Sequence, residues 1–320
     1  MTQATQRTID GIGGDFADAV LAGLRSKPKS IPSRFFYDAK GSELFERITE
    51  LEEYYPTNAE IALLDAHAED MAALAGPNVC LVEFGSGSSR KTDRLIEALA
   101  PLHTYVPIDI SDAALAGAVA RLRARFPDLR VVPVHGDFNA ALALPKTART
   151  PKKLGFFPGS TIGNLNRWEA RRFLEDCRSL LGPNCAFVIG VDLKKDMSIL
   201  LPAYNDRDGV TAAFNLNLLD RINRELGGTF DLNAFAHQAI YNADEGRIEM
   251  HIRSLADQTA ELMGETVSFA EGETIHTENS HKYGIEEFQA MAGAAGWEPL
   301  KVWTGADNLF SVHYLVPAAD

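Results

Sequence analysis

Five short runs of β-branched and aromatic residues, each followed by a stretch with helical periodicity, limit this chain more than any other feature. They occupy residues 78–85 (NVCLVEFG), 104–110 (TYVPIDI), 130–138 (RVVPVHGDF), 153–160 (KLGFFPGS) and 184–193 (NCAFVIGVDL). Runs of strand length separated by helices predict βαβ units and a parallel sheet. The spacers agree: Leu95, Ile96 and Leu99 share one helical face, and residues 111–127 repeat apolar side chains at the same interval.

Beyond Asp192 the pattern changes. Residues 203–226 are strongly helical, whereas 247–257 and 265–277 alternate like antiparallel strands. The chain then returns to an amphipathic helix at 284–297 and two strand-like runs, 298–305 and 310–318, close enough to pair as an antiparallel hairpin. Two domains follow from this order: residues 61–194 with 283–320 as an α/β ligand-binding domain, and residues 1–60 with 195–282 as an α+β lobe. The lobe is expected over the carboxyl ends of the strands, where open α/β sheets bind ligands.

Composition narrows the partners. A chain of 320 residues with a net charge of -13 lacks the basic surface that nucleic acid or an anionic membrane requires, so a small molecule is the expected ligand. Cys80, Cys177 and Cys185 have no CxxC spacing and read as buried free thiols. The N-terminus lacks a signal-peptide core and no apolar run reaches the length of a membrane span, which leads us to expect a cytoplasmic protein. The eight histidines show no metal-ligand spacing, and His276 and His281 read as residues of an exposed loop.

The end of the first run, VEFGSGSSR (82–90), is a strand passing into a turn with almost no side chains, as a backbone does where it approaches a ligand. Gly85 and Gly87 are followed by Arg90, so the third glycine of a dinucleotide fingerprint is missing and a nicotinamide-dependent oxidoreductase is the lesser reading. The acid-x-Gly-x-Gly form EFGSG resembles the turn of methyltransferases that bind S-adenosylmethionine. Asp109 ends the second strand 24 residues after Gly85, where a carboxylate can accept ribose hydroxyls; Asp137 and Phe138 end the third, suited to the adenine amine and ring. Five parallel strands, an insertion, a helix and a closing hairpin resemble the Rossmann-like sheet of class I methyltransferases.

Longer motifs carry a closer resemblance. Residues 34–57 (RFFYDAKGSELFERITELEEYYPT), 156–165 (FFPGSTIGNL), 203–235, 244–254 (DEGRIEMHIRS) and 277–288 (TENSHKYGIEEF) are similar, in order, to the histidine Nα-methyltransferase family of ergothioneine biosynthesis. The chain departs from that family's pattern at Asn58, where an arginine follows the threonine. The resemblance implies three methyl transfers from S-adenosylmethionine to the α-amine of L-histidine, giving the trimethyl betaine hercynine and S-adenosylhomocysteine, without a metal, in a monomer. It assigns Gly85, Ser86, Gly87, Lys91, Asp109, Asp137 and Phe138 to the cofactor. Asn164, Tyr37 and Gly159 fall on catalytic positions, and Tyr54, Tyr204, Met250, Glu278 and Ser280 on the substrate pocket.

These residue types suit the chemistry. The Asn164 amide can accept from an amine and donate to a carboxylate, Tyr37, Tyr54 and Tyr204 can hold a quaternary ammonium on aromatic faces, and Met250 can pack on a ring. Glu278 and Ser280, two residues apart on an extended segment, would share a face and read an imidazole. The alternatives are a methyltransferase for another free amino acid or amine, and a non-catalytic S-adenosylmethionine sensor, which a DNA-reading helix or basic stripe would favour and this chain lacks.

Overall fold

The computed structural model describes residues 4–87, 91–138, 142–148 and 152–319. Contacts divide them into two compact units, one made of the chain up to Tyr54 with Met197–Asn279, the other of Tyr55–Asp196 with Ser280–Asp320. The boundaries thus fall six residues earlier near the N-terminus, and within three residues at the other two crossings, than the sequence pattern places them.

The larger unit is built on seven strands: β1 (Cys80–Phe84), β2 (Thr104–Asp109), β3 (Val134–His135), β4 (Lys153–Phe157), β5 (Cys185–Asp192), β6 (Trp297–Thr304) and β7 (Phe310–Pro317). Their order is β6-β7-β5-β4-β1-β2-β3. The first five pair in parallel, and β7 runs antiparallel between β6 and β5. Parallel strands covered on both faces need apolar side chains on both, and successive residues here supply two cores. Val82, Phe157, Phe187 and Ile189 pack with Phe173 and Leu174 of helix Arg167–Leu181 and with Phe288 of helix Ile285–Ala294. Leu81, Phe156, Ala186 and Val188 pack with Leu64 and Met71 of helix Tyr55–Ala75, with Leu95 of Thr92–Ala98 and with Leu122 of Asp112–Arg125.

The third run is much shorter than its sequence suggests. Val131 makes one bridge to Tyr105, and regular pairing resumes only at Val134–His135. Pro133 lies between them without an N–H for the ladder, which an edge strand tolerates. All three cysteines are free and buried, and burial pushes the Cys80 and Cys185 thiols up to about 11.

In the smaller unit the strands Lys29–Ser30, Thr274–His281, Arg247–Ser254 and Phe235–Asn242 form one sheet in that order, and Gln258–Leu262 pairs antiparallel with Glu265–Phe269. The helical stretch at 203–226 is two helices, Met197–Tyr204 and Val210–Leu226. Asp206 interrupts it by accepting the N–H groups of Val210 and Thr211, each at 2.8 Å, so the second helix starts afresh after Gly209 with its first two N–H groups satisfied by that carboxylate. His276 and His281 are not on a loop: both lie on strand Thr274–His281, His281 fully buried and His276 half-buried with its ring stacked on His251. Ile275, Thr277 and Tyr283 are buried as well, so this is a packed segment despite its polar appearance. Among the described residues no helix is long and apolar enough to cross a membrane.

Candidate functional site

At the carboxyl edge of the larger sheet the backbone after β1 turns sharply, with Gly85 at φ 68° and Gly87 at φ 47°. The N–H groups of Gly85 and Ser86 both donate to the Ile108 carbonyl, at 2.9 and 3.1 Å, fastening the turn to β2. Next to it the Asp109 carboxylate accepts the N–H of Gly87 at 2.8 Å and that of Ser111 at 2.9 Å. Burial nonetheless holds the Asp109 pKa above the ordinary carboxylate value, against the lowering effect of those donors. The following helix is capped by Ser111, not by Asp109: the Ser111 hydroxyl accepts the Ala114 N–H at 3.2 Å. Phe138 packs on Phe157 and Phe173, and a methyl group on Gly85 would lie 3.4 Å from its ring. Gly85, Ser86, Gly87, Asp109 and Phe138 are therefore gathered at one place, with half-buried Asp137 beside Phe138.

Lys91 and Gly159 are joined by a residue the sequence reading passed over. Glu60, fully buried on helix Tyr55–Ala75, receives Lys91 Nζ at 2.7 Å and the Gly159 N–H at 2.8 Å. Its spacing held the signal, since Glu60 stands four residues before Leu64 on the buried stripe, where an ordinary helix would place an apolar side chain. Glu83, the acid that opens the glycine motif, is also turned inward: Thr92 donates to it at 2.6 Å and Tyr105 to its other oxygen. Burial pushes its carboxyl up to about 8.

After β4 the chain enters a tight loop with Gly159 at φ 79° and Ser160 at φ 54°, followed by a 3-10 turn, Thr161–Asn164. The Asp192 N–H donates to Ser160 Oγ at 2.9 Å, and Gly163 lies so close to His281 that a methyl group there would approach its carbonyl oxygen to 2.8 Å. The loop carrying Gly159 and Asn164 thus packs beside the segment carrying Ser280.

In the smaller unit the three predicted tyrosines belong to one aromatic chain. Tyr37 meets Phe45 at 5.6 Å, Phe45 meets Tyr54 at 6.4 Å and Tyr54 meets Tyr204 at 6.3 Å, all edge to face. Tyr204 is held through its carbonyl, 2.8 Å from His237 Nε2. Met250 is buried on strand Arg247–Ser254, and by strand alternation faces away from its neighbours Glu249 and His251; half-buried Glu278 lies on strand Thr274–His281. Glu249, His251 and His276 come within reach of one another, but Glu249 is paired with Arg247 at 2.7 Å, and burial, outweighed by the hydrogen bonds of Asn242, Arg247 and His251, leaves its carboxyl at about 2.

A seven-stranded sheet in this order, with its antiparallel seventh strand and a glycine turn backed by a buried acid on the second strand, is the class I methyltransferase fold, and the turn fits S-adenosylmethionine. Residues 16–317 match the family of histidine-specific, S-adenosylmethionine-dependent methyltransferases, and the chain belongs to it. It is 41% identical to the histidine N-alpha-methyltransferase of Mycolicibacterium smegmatis, over 93% of each chain. It is 39% identical to that of Mycobacterium tuberculosis, over 89% of each. A more distant relative, the 4-dimethylallyltryptophan N-methyltransferase of Aspergillus fumigatus, is 30% identical over 93% of this chain and 92% of its own.

Proposed function

We propose that this protein transfers three methyl groups in succession to the α-amine of free L-histidine, forming the trimethyl betaine as the first step of ergothioneine synthesis. The observation that carries this reading is the packing of the Gly159–Asn164 loop against the Ser280 segment inside a chain whose family is histidine-specific. S-adenosylmethionine supplies a methyl group on a sulfonium, and displacement at that carbon needs no metal or covalent nucleophile, only a neutral amine in line with the leaving sulfur.

Within the larger unit, Asp109 and Asp137 are assigned to the ribose and the adenine amine, Phe138 to the base, and Gly85, Ser86 and Gly87 to close backbone approach. Lys91, neutralised by Glu60, acts by fixing the Gly159 loop. Asn164 orients the amine, and Ser280 contacts the imidazole. Within the smaller unit, the aromatic chain of Tyr37, Tyr54 and Tyr204 holds the methylated ammonium, which can no longer donate hydrogen bonds. Glu278 accepts an imidazole N–H, and Met250 shapes the pocket from the core side. Loss of a proton before each attack is favoured by desolvation and by the neighbouring sulfonium charge, so no dedicated base is required.

The test is mass spectrometry of purified protein with S-adenosylmethionine and an equimolar mixture of the twenty amino acids. Histidine alone should gain one, two and then three methyl groups. Modification of tryptophan instead would move this chain towards its Aspergillus relative, and cofactor binding without turnover of any amine would make it a sensor.

A further inference from the structure

The smaller unit carries a constellation that methyl transfer does not use. Arg247, Glu249 and His251 take alternate positions on strand Arg247–Ser254 and so share one face, opposite the one that buries Met250. On the neighbouring strand Thr274–His281, His276 comes up beside them, its ring stacked on that of His251 with centroids 4.9 Å apart. One oxygen of Glu249 and one nitrogen of each ring lie within 4.8 Å of one another. Two imidazoles and a carboxylate are a donor set that suits divalent transition cations such as Zn²⁺, whereas Mg²⁺ and Ca²⁺ take oxygen ligands.

The groups behind these three side chains hold them as ligands. Arg247 and Asn242 both donate to Glu249 Oε1, at 2.7 and 2.9 Å, which orients the carboxylate and leaves Oε2 to His251 Nε2 at 3.0 Å. His276 Nε2 lies 3.1 Å from the Glu278 carbonyl. A carbonyl can only accept, so in the neutral ring Nε2 carries the proton and Nδ1 presents its lone pair. Metal ligands are supported in this way, an imidazole N–H on a backbone carbonyl and a carboxylate held by hydrogen bonds. His251 differs: its Nδ1 is buried and has no partner among the described residues. A buried polar atom left over in this way is costly, and a missing ion or water accounts for it. We propose that Glu249, His251 and His276 form a binding site for a divalent transition cation, with Zn²⁺ the fitting ion, that clamps strand Arg247–Ser254 to strand Thr274–His281. His251 ligates through whichever nitrogen its single proton leaves free. Three protein ligands leave one tetrahedral position for water. The Arg247 guanidinium on Glu249 opposes the incoming charge, so the site is weaker than a structural zinc site.

The experiment is calorimetric titration of Zn²⁺ into the full chain, tag-free and stripped with a chelator, near neutral pH. Free histidine is left out because it binds the ion itself. One equivalent should bind with a Kd on the order of micromolar, and Mg²⁺ should give no binding heat. His276→Ala removes a half-buried ring and should weaken Zn²⁺ at least about thirtyfold, as should His251→Ala, and either variant decides the question if the other does not fold. Thermal unfolding gives a second readout: Zn²⁺ at about a hundred times its Kd should raise the Tm of the wild type by about 5 °C and leave that of His276→Ala unchanged. Wild-type affinity in both variants would assign the bound ion to other side chains and overturn the site, as would a wild type that binds Zn²⁺ no tighter than about 100 µM. Neither result touches the functional reading, which the amino-acid methylation assay tests without added metal.

Discussion

Glu83 opens a motif whose usual reading is ligand binding, yet its carboxyl is spent inside the protein, joining β1 to Thr92 and to Tyr105 of β2. Burial raises it from 4.5 to about 8, so the folded state binds its proton more tightly than the unfolded chain does. That contribution to stability is complete below about pH 4.5 and is lost as the pH rises through about 8. Glu83→Gln has no proton to lose and should gain on the wild type progressively across this interval, by roughly 2–4 kcal/mol in urea unfolding. A difference that stays constant with pH would contradict it. Under the proposed function Glu278 has the opposite task, accepting an imidazole N–H of the substrate. Removing its acceptor in Glu278→Ala should lower kcat/KM for histidine at least about tenfold and shift relative activity towards tryptophan. An unchanged histidine-to-tryptophan ratio would remove Glu278 from the specificity determinants.

At the level of elements, the strands before β6 and the closing hairpin were legible because apolar runs of strand length alternate with helical spacers. The third strand was over-read, since periodicity does not register the missing N–H of Pro133. His276 and His281 were misplaced for a related reason: a polar run such as HTENSHK reads as loop unless the packing around it is known. Close contact between the Thr161–Asn164 turn and the Ser280 segment had no local signal at all, because it joins residues more than a hundred positions apart. It can be tested at Gly163, where a methyl group would come within 2.8 Å of the His281 carbonyl oxygen and 3.2 Å of its nitrogen. Both are backbone atoms, which cannot rotate aside. Gly163→Ala should therefore shift the turn and lower kcat by about tenfold or more, with binding of S-adenosylhomocysteine retained. Wild-type kcat would show that the turn can move without consequence.

For the whole molecule, the order of pairing makes the end of the chain indispensable to the middle of the larger sheet. β7 is bonded on both sides, to β6 and to β5, along most of its length. A chain ending at Leu309 would leave the edge of β5 unpaired and uncover Phe187 and Val188, and should fail to give a cooperative thermal transition. The full chain should be stabilised by about 2.7 kcal/mol when S-adenosylhomocysteine is present at a hundred times its Kd. A truncated chain showing the same stabilisation would contradict this account of the sheet. The amino-acid sequence by itself determined the α/β class, the sheet with its closing hairpin, the glycine turn with Asp109 and Phe138, and the family, because these depend on local periodicity and on contiguous motifs. Tertiary structure alone decided that Glu60 links Lys91 to Gly159, and that Tyr55, Lys195 and Lys282 converge on the buried Asp192. Buried charges are tolerated only where distant segments bring each one a partner, and no stretch of sequence carries that information.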